Sequence, residues 1–317
     1  MLPALRPHLA ACLLMPVALW LTACSSAAGS GEAGGEPKVT STPALLQTAG
    51  IAYPLDGYAA TYEEEVTLKR AQNILVTQCM AEFGFKYQAP EPPEATKSAP
   101  NSRIYGVVDM ATAARYGYKA PVAAGSEPQK QQVDLSEAET MVLRGPRNQK
   151  PDTLPRSLEE AKKKKTKTAM VNGKQIPAGG CGRKSFLELY APTAQSVDAL
   201  YVFNLKVEAN SRTRKDSRVL AVNKKWSKCM ATAGYKVTNP MDPAQEIGLA
   251  NDALSSPAAI NAAKADVACK EKVNLVGVWY GVETAYQKQS IDRNAEVLDL
   301  AKRQLSDRLK LAASLSG

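Results

Sequence analysis

The residues of this sequence with the greatest capacity for chemistry are its cysteines, its one histidine and its carboxylates. The single histidine is His8, within an apolar N-terminal segment, so the remainder of the chain carries no imidazole. Ser-His-Asp and Cys-His catalysis, HExxH zinc sites and histidine acid–base chemistry are therefore excluded from that remainder. Hydrolysis by two carboxyl groups needs no histidine, but the spacing of the acidic residues singles out no pair and thus predicts no catalytic residue. The carboxylates available for such chemistry are Glu63, Glu64, Glu65, Glu82, Asp109, Asp266 and Glu283.

The N-terminal segment has the layout of an export signal. Arg6 and His8 precede a mostly apolar stretch from Leu9 to Leu21, which is shorter than the roughly 20 residues that span a bilayer. The stretch ends in Leu-Thr-Ala-Cys, which resembles the lipobox of bacterial lipoproteins, where a small residue precedes an obligatory cysteine. This resemblance implies cleavage after Ala23, which makes residues 1–23 a signal peptide. It also implies attachment of lipid to Cys24; an ordinary secretory signal with a chance cysteine is the alternative.

Residues 24–48 are rich in Ala, Gly and Ser and are predicted to form a flexible tether between the lipid and a folded domain at 49–317. Acyl chains stabilise membrane attachment by about 0.8 kcal/mol for each buried CH₂ group. The expected location is therefore the outer face of the cytoplasmic membrane. No other segment reaches the length of a membrane span.

The charge balance suggests the kind of partner. The chain has 317 residues, with 40 Lys and Arg against 31 Asp and Glu, and a net charge of +9 at pH 7. A cationic run, KKKKTK, occupies positions 162–167; it is either a solvated helix face or a contact for anions. Outside a cell those anions are lipid headgroups and acidic wall polymers, so a wall polymer or an envelope protein is the expected partner besides the membrane. No nucleic-acid-binding motif accompanies the run, and no nucleic-acid partner is predicted.

Four cysteines remain outside the predicted signal and lipid site. Cys79, Cys181, Cys229 and Cys269 are an even number in an exported chain, which predicts two disulfides. Because the chain has no Cys-x-x-Cys pair and no histidine to complete a site, neither a metal nor a cofactor is predicted.

A repeated motif favours one of the three possible pairings. CMAEFGFK begins at Cys79 and CMATAGYK begins at Cys229, so both read Cys-Met-Ala-x-x-Gly-aromatic-Lys. Each closes an apparent helix, and its glycine occupies the position where a left-handed residue ends a helix. The chain therefore could hold two related helical units, about 56–190 and 195–317. If each unit keeps its own partner, the bridges are Cys79–Cys181 and Cys229–Cys269; bridges that cross the units are the alternative.

The periodicity of apolar residues predicts a mainly α, disulfide-stapled domain. Asn172-Gly173 predicts a small β-hairpin within 168–177, which leads to Cys181. Residues 119–157 are rich in Pro and Gln and are expected to wrap the surface. The predicted helices cover about 56–83, 109–116, 158–165, 195–210 and 214–233, a segment from Pro257 that carries Cys269, and a long C-terminal stretch at 271–313.

The C-terminal stretch is amphipathic. Ile291, Leu298, Leu305 and Ala312 recur every seven residues, a spacing that also suits a coiled-coil arm. We expect this helix to pack on its own domain; a partner-binding helix is the alternative.

Several stretches resemble exported actinobacterial lipoproteins, a group with no assigned activity. These are VNGKQIPAGGC, WSKCM with GYKV, ADVACK and LVGVWYGVETAYQ, and they cover about half of the chain after the signal. The resemblance implies an envelope location and structural cysteines. Trp226 and Trp279 lie near cysteines on predicted helices and are expected to pack against the disulfides rather than to stack on sugars.

Together these features favour a membrane-anchored envelope lipoprotein that acts as a binding or scaffolding module. One alternative is a wall-glycan hydrolase that uses carboxylates alone. The other is a solute-binding lipoprotein, which ranks last because such proteins have two α/β lobes and this sequence shows mainly helical periodicity.

Overall fold

The computed structural model describes residues 35–45, 47–92, 101–121, 134–163 and 169–316. The predicted signal peptide, Cys24 and residues 164–167 of the cationic run lie outside these ranges. Within them the predicted architecture is confirmed: the chain is mainly helical, with a two-stranded antiparallel hairpin, a long C-terminal helix and two disulfides. None of the described helices combines the length and the apolar character that crossing a membrane would require.

The elements follow one another in a simple order. The α-helices of the described ranges are α1 (Tyr62–Glu82), α2 (Met110–Tyr116), α3 (Glu137–Arg144), α4 (Leu158–Lys163), α5 (Gly180–Tyr190), α6 (Tyr201–Thr213), α7 (Ser217–Thr232), α8 (Pro243–Glu246), α9 (Pro257–Lys272), α10 (Leu275–Arg293) and α11 (Ala295–Ser316). Strands β1 (Met170–Val171) and β2 (Lys174–Gln175) form the hairpin. Asn172 and Gly173 between them both have positive φ, as the Asn-Gly turn predicts.

The repeated cysteine motif ends α1 and α7 in the same way. Gly84 has φ of 81° and Gly234 has φ of 92°, a left-handed conformation that glycine adopts without steric cost. The next amide reaches back to the same carbonyl of each motif: Phe85 N donates to Met80 O at 3.2 Å, and Tyr235 N donates to Met230 O at 2.9 Å. These are the hydrogen bonds of a glycine-terminated helix.

The larger helices pack into two groups, each around its own cluster of buried residues. In one group, α1, α3 and α5 surround Val76, Met80 and Val142, and α11 covers the other side of α1 at Leu68 and Ala71. In the second group, α6, α7 and α9 pack around α10. The C-terminal helix therefore lies against the first long helix of its own chain.

Three helices were not anticipated, of which α8 is a single turn. α3 lies inside the stretch expected to wrap the surface without periodicity, and α5 begins directly at Gly180, Cys181 and Gly182. Glycine is a poor helix former, at about 1 kcal/mol less favourable than alanine. Burial of Cys181, Leu187 and other residues of α5 overrides that local preference.

The predicted C-terminal helix at 271–313 is divided. Asn274 has φ of 51° and separates α9 from α10, and Asn294 separates α10 from α11. Leu298 and Ala312 are fully buried, so the seven-residue pattern marks a true core face although it continues across a break.

An N-terminal strap, residues 37–45, lies against α10. Val39 and Leu45 pack on its core cluster, and a Cβ added to Gly277 would lie 1.8 Å from the carbonyl oxygen of Pro43. Arg218 Nη1 donates to the carbonyl oxygen of Pro37 at 2.9 Å. The compact domain thus begins at Pro37, within the segment predicted to be a tether and before the expected domain start at residue 49.

Candidate functional site

The four cysteines form two disulfides within the helical groups. Cys79 on α1 is bonded to Cys181 on α5, and Cys229 on α7 is bonded to Cys269 on α9. This is the pairing in which each repeated motif keeps its own partner. Because all four sulfur atoms are in bridges, these residues link helices and offer no thiol.

Most of the candidate carboxylates serve as helix caps or surface charges. Asp109 accepts from the backbone N–H groups of Ala111 and Thr112 at the start of α2, and Glu82 pairs with Lys184 at 3.1 Å. Glu63, Glu64 and Glu65 occupy the first turn of α1, where negative charge is favourable next to the helix N-terminus.

Asp266 is buried and fully engaged. Its Oδ1 accepts from Trp226 Nε1 at 2.9 Å, and its Oδ2 accepts from Lys270 Nζ at 2.9 Å. Lys270 Nζ also donates to the carbonyl oxygens of Tyr105 and Val107, each at 3.0 Å, so its three donors are all used. Burial raises the pKa of Asp266 and lowers that of Lys270, and their mutual attraction opposes both shifts. The pair fastens the loop before α2 to α9.

Glu283 belongs to a separate buried network. Its Oε2 accepts from Asn210 Nδ2 at 3.1 Å and, over a longer 3.5 Å, from the hydroxyl of Tyr105, which contacts the hydroxyl of Tyr53. Gln287 Nε2 lies 3.5 Å from Oε1. Burial is the main cause that raises the pKa of Glu283. Asp266 thus acts on the backbone carbonyl of Tyr105 through Lys270, and Glu283 contacts the hydroxyl of the same tyrosine. The two carboxylates do not face each other across a cleft within the described residues.

Neither buried carboxylate lines the following four cavities on the surface of the described chain. In the largest, of about 1010 Å³, Arg70 is already paired with Glu91 at 3.4 Å. In the smallest, of about 330 Å³, Arg103 is balanced by Asp242. A third, of about 490 Å³ beside the N-terminal strap, has two lysines and one aspartate in its wall.

The fourth cavity has the largest excess of positive charge. This arginine cavity, of about 950 Å³, lies between α3, the segment 145–154 and the start of α5. Arg144, Arg147 and Arg183 line it, against one carboxylate, Glu137. Its remaining lining residues are Gln72, Thr140, Met141, Gly145, Pro146, Asn148, Gln149, Leu154, Gly179, Gly182 and Phe186.

Close backbone contact brings the arginines together. A Cβ on Gly180 would lie 2.4 Å from the backbone nitrogen of Gly145, so a side chain at this position would separate the two segments. The side chain of Gln149 adds a second link, since its Oε1 accepts from Gly179 N at 2.9 Å. Sequence reasoning missed this site because Arg183 is far along the chain from Arg144 and Arg147. The available signal was two arginines flanking Gly-Pro and a third beside Gly-Gly-Cys-Gly.

The described residues contain no group of three or more His, Cys, Asp or Glu placed to hold a metal ion. Trp226 and Trp279 are both buried, in the same core cluster as Cys269. Comparison of the chain with protein-family models, with curated proteins and with solved structures finds no match.

Proposed function

We propose that the protein is a lipid-anchored binding module of the cell envelope, held at the outer face of the cytoplasmic membrane through Cys24. One structural observation supports binding over carboxylate catalysis. The cationic side chains of the arginine cavity line a space that opens to solvent, whereas the buried carboxylates Asp266 and Glu283 are enclosed by their own partners. A site of this kind can hold a ligand by charge and shape without a general acid or base.

The anchor rests on the lipobox-like sequence before Cys24. Its test is fractionation of bacteria that express the full chain with and without Cys24→Ser. We expect the wild-type chain in the membrane fraction, with incorporation of labelled palmitate, and the variant in the soluble fraction without label. Cys12→Ser, inside the predicted signal, is the matched control and should behave as wild type. Membrane retention of the Cys24→Ser chain would contradict the anchor.

The binding role needs a separate experiment. The immobilised full chain is exposed to a solubilised envelope extract under non-reducing conditions, and we expect one component to be retained at a fixed stoichiometry. In parallel, the chain is incubated with wall glycan and released reducing ends are measured. Release by the wild-type chain that Glu283→Gln abolishes would favour the hydrolase alternative and contradict the proposal.

A further inference from the structure

We propose that the arginine cavity binds a phosphate monoester carried on a small apolar body. The inference rests on the proposed binding function and names the ligand class of that site. It follows from the charge of the cavity wall, from the free donor capacity of its arginines and from the apolar side chains beside them.

The net positive charge of the residues that line the cavity favours a ligand with more than one negative charge. Three arginines and one glutamate line the cavity, and no described residue forms an ion pair with Arg144, Arg147 or Arg183. A phosphate monoester carries about −1.5 to −2 at neutral pH, which matches this excess, whereas a carboxylate carries a single charge. Guanidinium groups also present paired N–H donors that suit phosphate oxygens.

Arg183 is positioned with donors to spare. Its Nη2 donates to the carbonyl oxygen of Pro155 at 2.8 Å, and its Cζ lies 5.5 Å from the centre of the Phe186 ring. Its Nε is buried and has no hydrogen-bond partner within the described part of the chain. A guanidinium has five N–H donors; one is used by Pro155 and the buried Nε is out of a ligand's reach, so three remain.

The cavity also offers apolar side chains that the hydrocarbon part of the ligand can contact. Met141, Leu154 and Phe186 line the same cavity as the arginines. The cavity volume of about 950 Å³ exceeds what a bare phosphate needs and falls in the range of sites for small organic ligands. A phosphate ester with a short hydrocarbon chain would use both the cationic and the apolar parts of the wall.

Titration calorimetry of the full chain in neutral detergent, at low ionic strength, tests the proposal with two probes that share a headgroup. Hexyl phosphate and methyl phosphate differ only in their apolar chain. We expect one hexyl phosphate site per chain and binding at least about tenfold weaker for methyl phosphate, since buried CH₂ groups are favourable. Equal binding of both probes would mean a site for free phosphate groups and would overturn the amphiphilic part of the proposal.

A double variant locates the site. Arg144 and Arg147 are both exposed, so Arg144→Gln/Arg147→Gln should preserve the fold, which circular dichroism checks. We expect it to weaken hexyl phosphate binding by about tenfold or more, because hydrogen bonds from charged donors contribute more to binding than neutral ones. Arg293→Gln/Arg303→Gln removes the same charge from exposed positions outside the cavity and should bind as wild type.

Two outcomes would overturn the assignment: no binding of hexyl phosphate at millimolar concentration, or equal losses in the two double variants, which would indicate attraction to net charge alone. Failure here is distinguishable from failure of the proposed function. If the Arg144→Gln/Arg147→Gln chain loses hexyl phosphate yet still retains its envelope component, the module binds that component elsewhere. If the wild-type chain binds hexyl phosphate but partitions to the soluble fraction, the anchor alone is wrong.

Discussion

Two lysine–carboxylate pairs with the same four-residue spacing occupy opposite environments in this protein. Lys270 and Asp266 are 2.9 Å apart, and their side chains are 2% and 0% exposed. Lys163 and Glu159 are 2.6 Å apart, and their side chains are 73% and 43% exposed. In sequence both read as ordinary helix-surface pairs, so the buried pair could be recognised only from the small and apolar residues around it. The sequence placed Asp266 among the available carboxylates without singling out a pair, and its contacts are a buried ion pair with Lys270 and a hydrogen bond from Trp226.

This contrast predicts very different effects of the same substitution. Lys270→Met leaves the Asp266 carboxylate buried without its cation, and we expect the free energy of unfolding to fall by about 3–5 kcal/mol. Lys163→Met removes an exposed pair, which water and salt screen, and should leave the free energy of unfolding nearly unchanged. Urea denaturation of both variants measures the difference. Similar effects would show that the pair on α9 is hydrated in solution.

Glu283 gives the stability a pH dependence of definite sign. Burial raises its pKa above the ordinary value of 4.5, so between these two values the folded chain holds a proton that the unfolded chain has released. The stability cost of this group is therefore absent below pH 4.5 and grows as the pH rises through its folded-state pKa.

Glu283→Gln removes this ionisation while it keeps an oxygen for Asn210. We expect the variant to gain stability relative to wild type as the pH is raised from 4 to 8, measured as the difference in melting temperature across that range. Glu63→Gln, at an exposed position, is the charge-matched control. A pH-independent difference for Glu283→Gln would contradict the assignment.

At the scale of elements, the N-terminal strap depends on two glycines of α10. A Cβ on Gly277 would lie 1.8 Å from Pro43 O, and a Cβ on Gly281 would lie 2.3 Å from Ser41 O. Glycine inside a helix normally costs about 1 kcal/mol relative to alanine, so its presence here reflects the close approach of the strap. The sequence shows the glycines in LVGVWYGVETAYQ but does not show what they contact.

The strap can be displaced by one methyl group. We expect Gly277→Ala to force residues 37–45 away from α10 and to speed tryptic cleavage after Lys38, followed by mass spectrometry. Gly57→Ala, where nothing lies within 4 Å of the added Cβ, should leave the cleavage rate unchanged. If Gly277→Ala instead stabilises the chain, as an open helical position would, the strap does not cover α10 in solution.

Most helices could be predicted from local patterns, including the short α2 and α4, whereas α3, α5 and α8 were not predicted. Glycine at 84 and 234 and the Ser-Pro pair at 256–257 marked helix ends correctly, because these signals are local. α5 lacked such signals, since its helical conformation depends on packing against α3 and on the Cys79–Cys181 bridge. α3 did carry them, because Ser136 and Glu139 form a capping box and Gly145 ends the helix with φ of 79°; the Pro- and Gln-rich composition of residues 119–157 was given more weight. The arginine cavity forms where α3 and α5 pack together, so local sequence patterns could not predict it either.

At the scale of the whole molecule, each disulfide ties together helices that are distant in sequence. The bridges span 102 and 40 residues, which on a chain-entropy estimate correspond to about 5 and 4 kcal/mol. The longer one holds α5 against α1 and thereby one wall of the arginine cavity.

We therefore expect Cys79→Ala/Cys181→Ala to lower the free energy of unfolding by about 2–5 kcal/mol and to weaken hexyl phosphate binding. Urea denaturation measures the first effect, and calorimetry measures the second. Cys229→Ala/Cys269→Ala should lower stability too but should leave the ligand affinity of the folded chain close to wild type. A non-reduced peptide map that links Cys79 to Cys229 would contradict both expectations.

The packing of α11 on α1 also governs the order in which the protein can mature. A ribosome produces α1 well before α11, so the apolar face at Leu68 and Ala71 stays uncovered until the chain has been made through α11. Nascent chains that stop before residue 295 would carry that face exposed, which makes them substrates for chaperones and proteases. Quality control can thus distinguish chains in which α11 has docked on α1 from chains in which it has not.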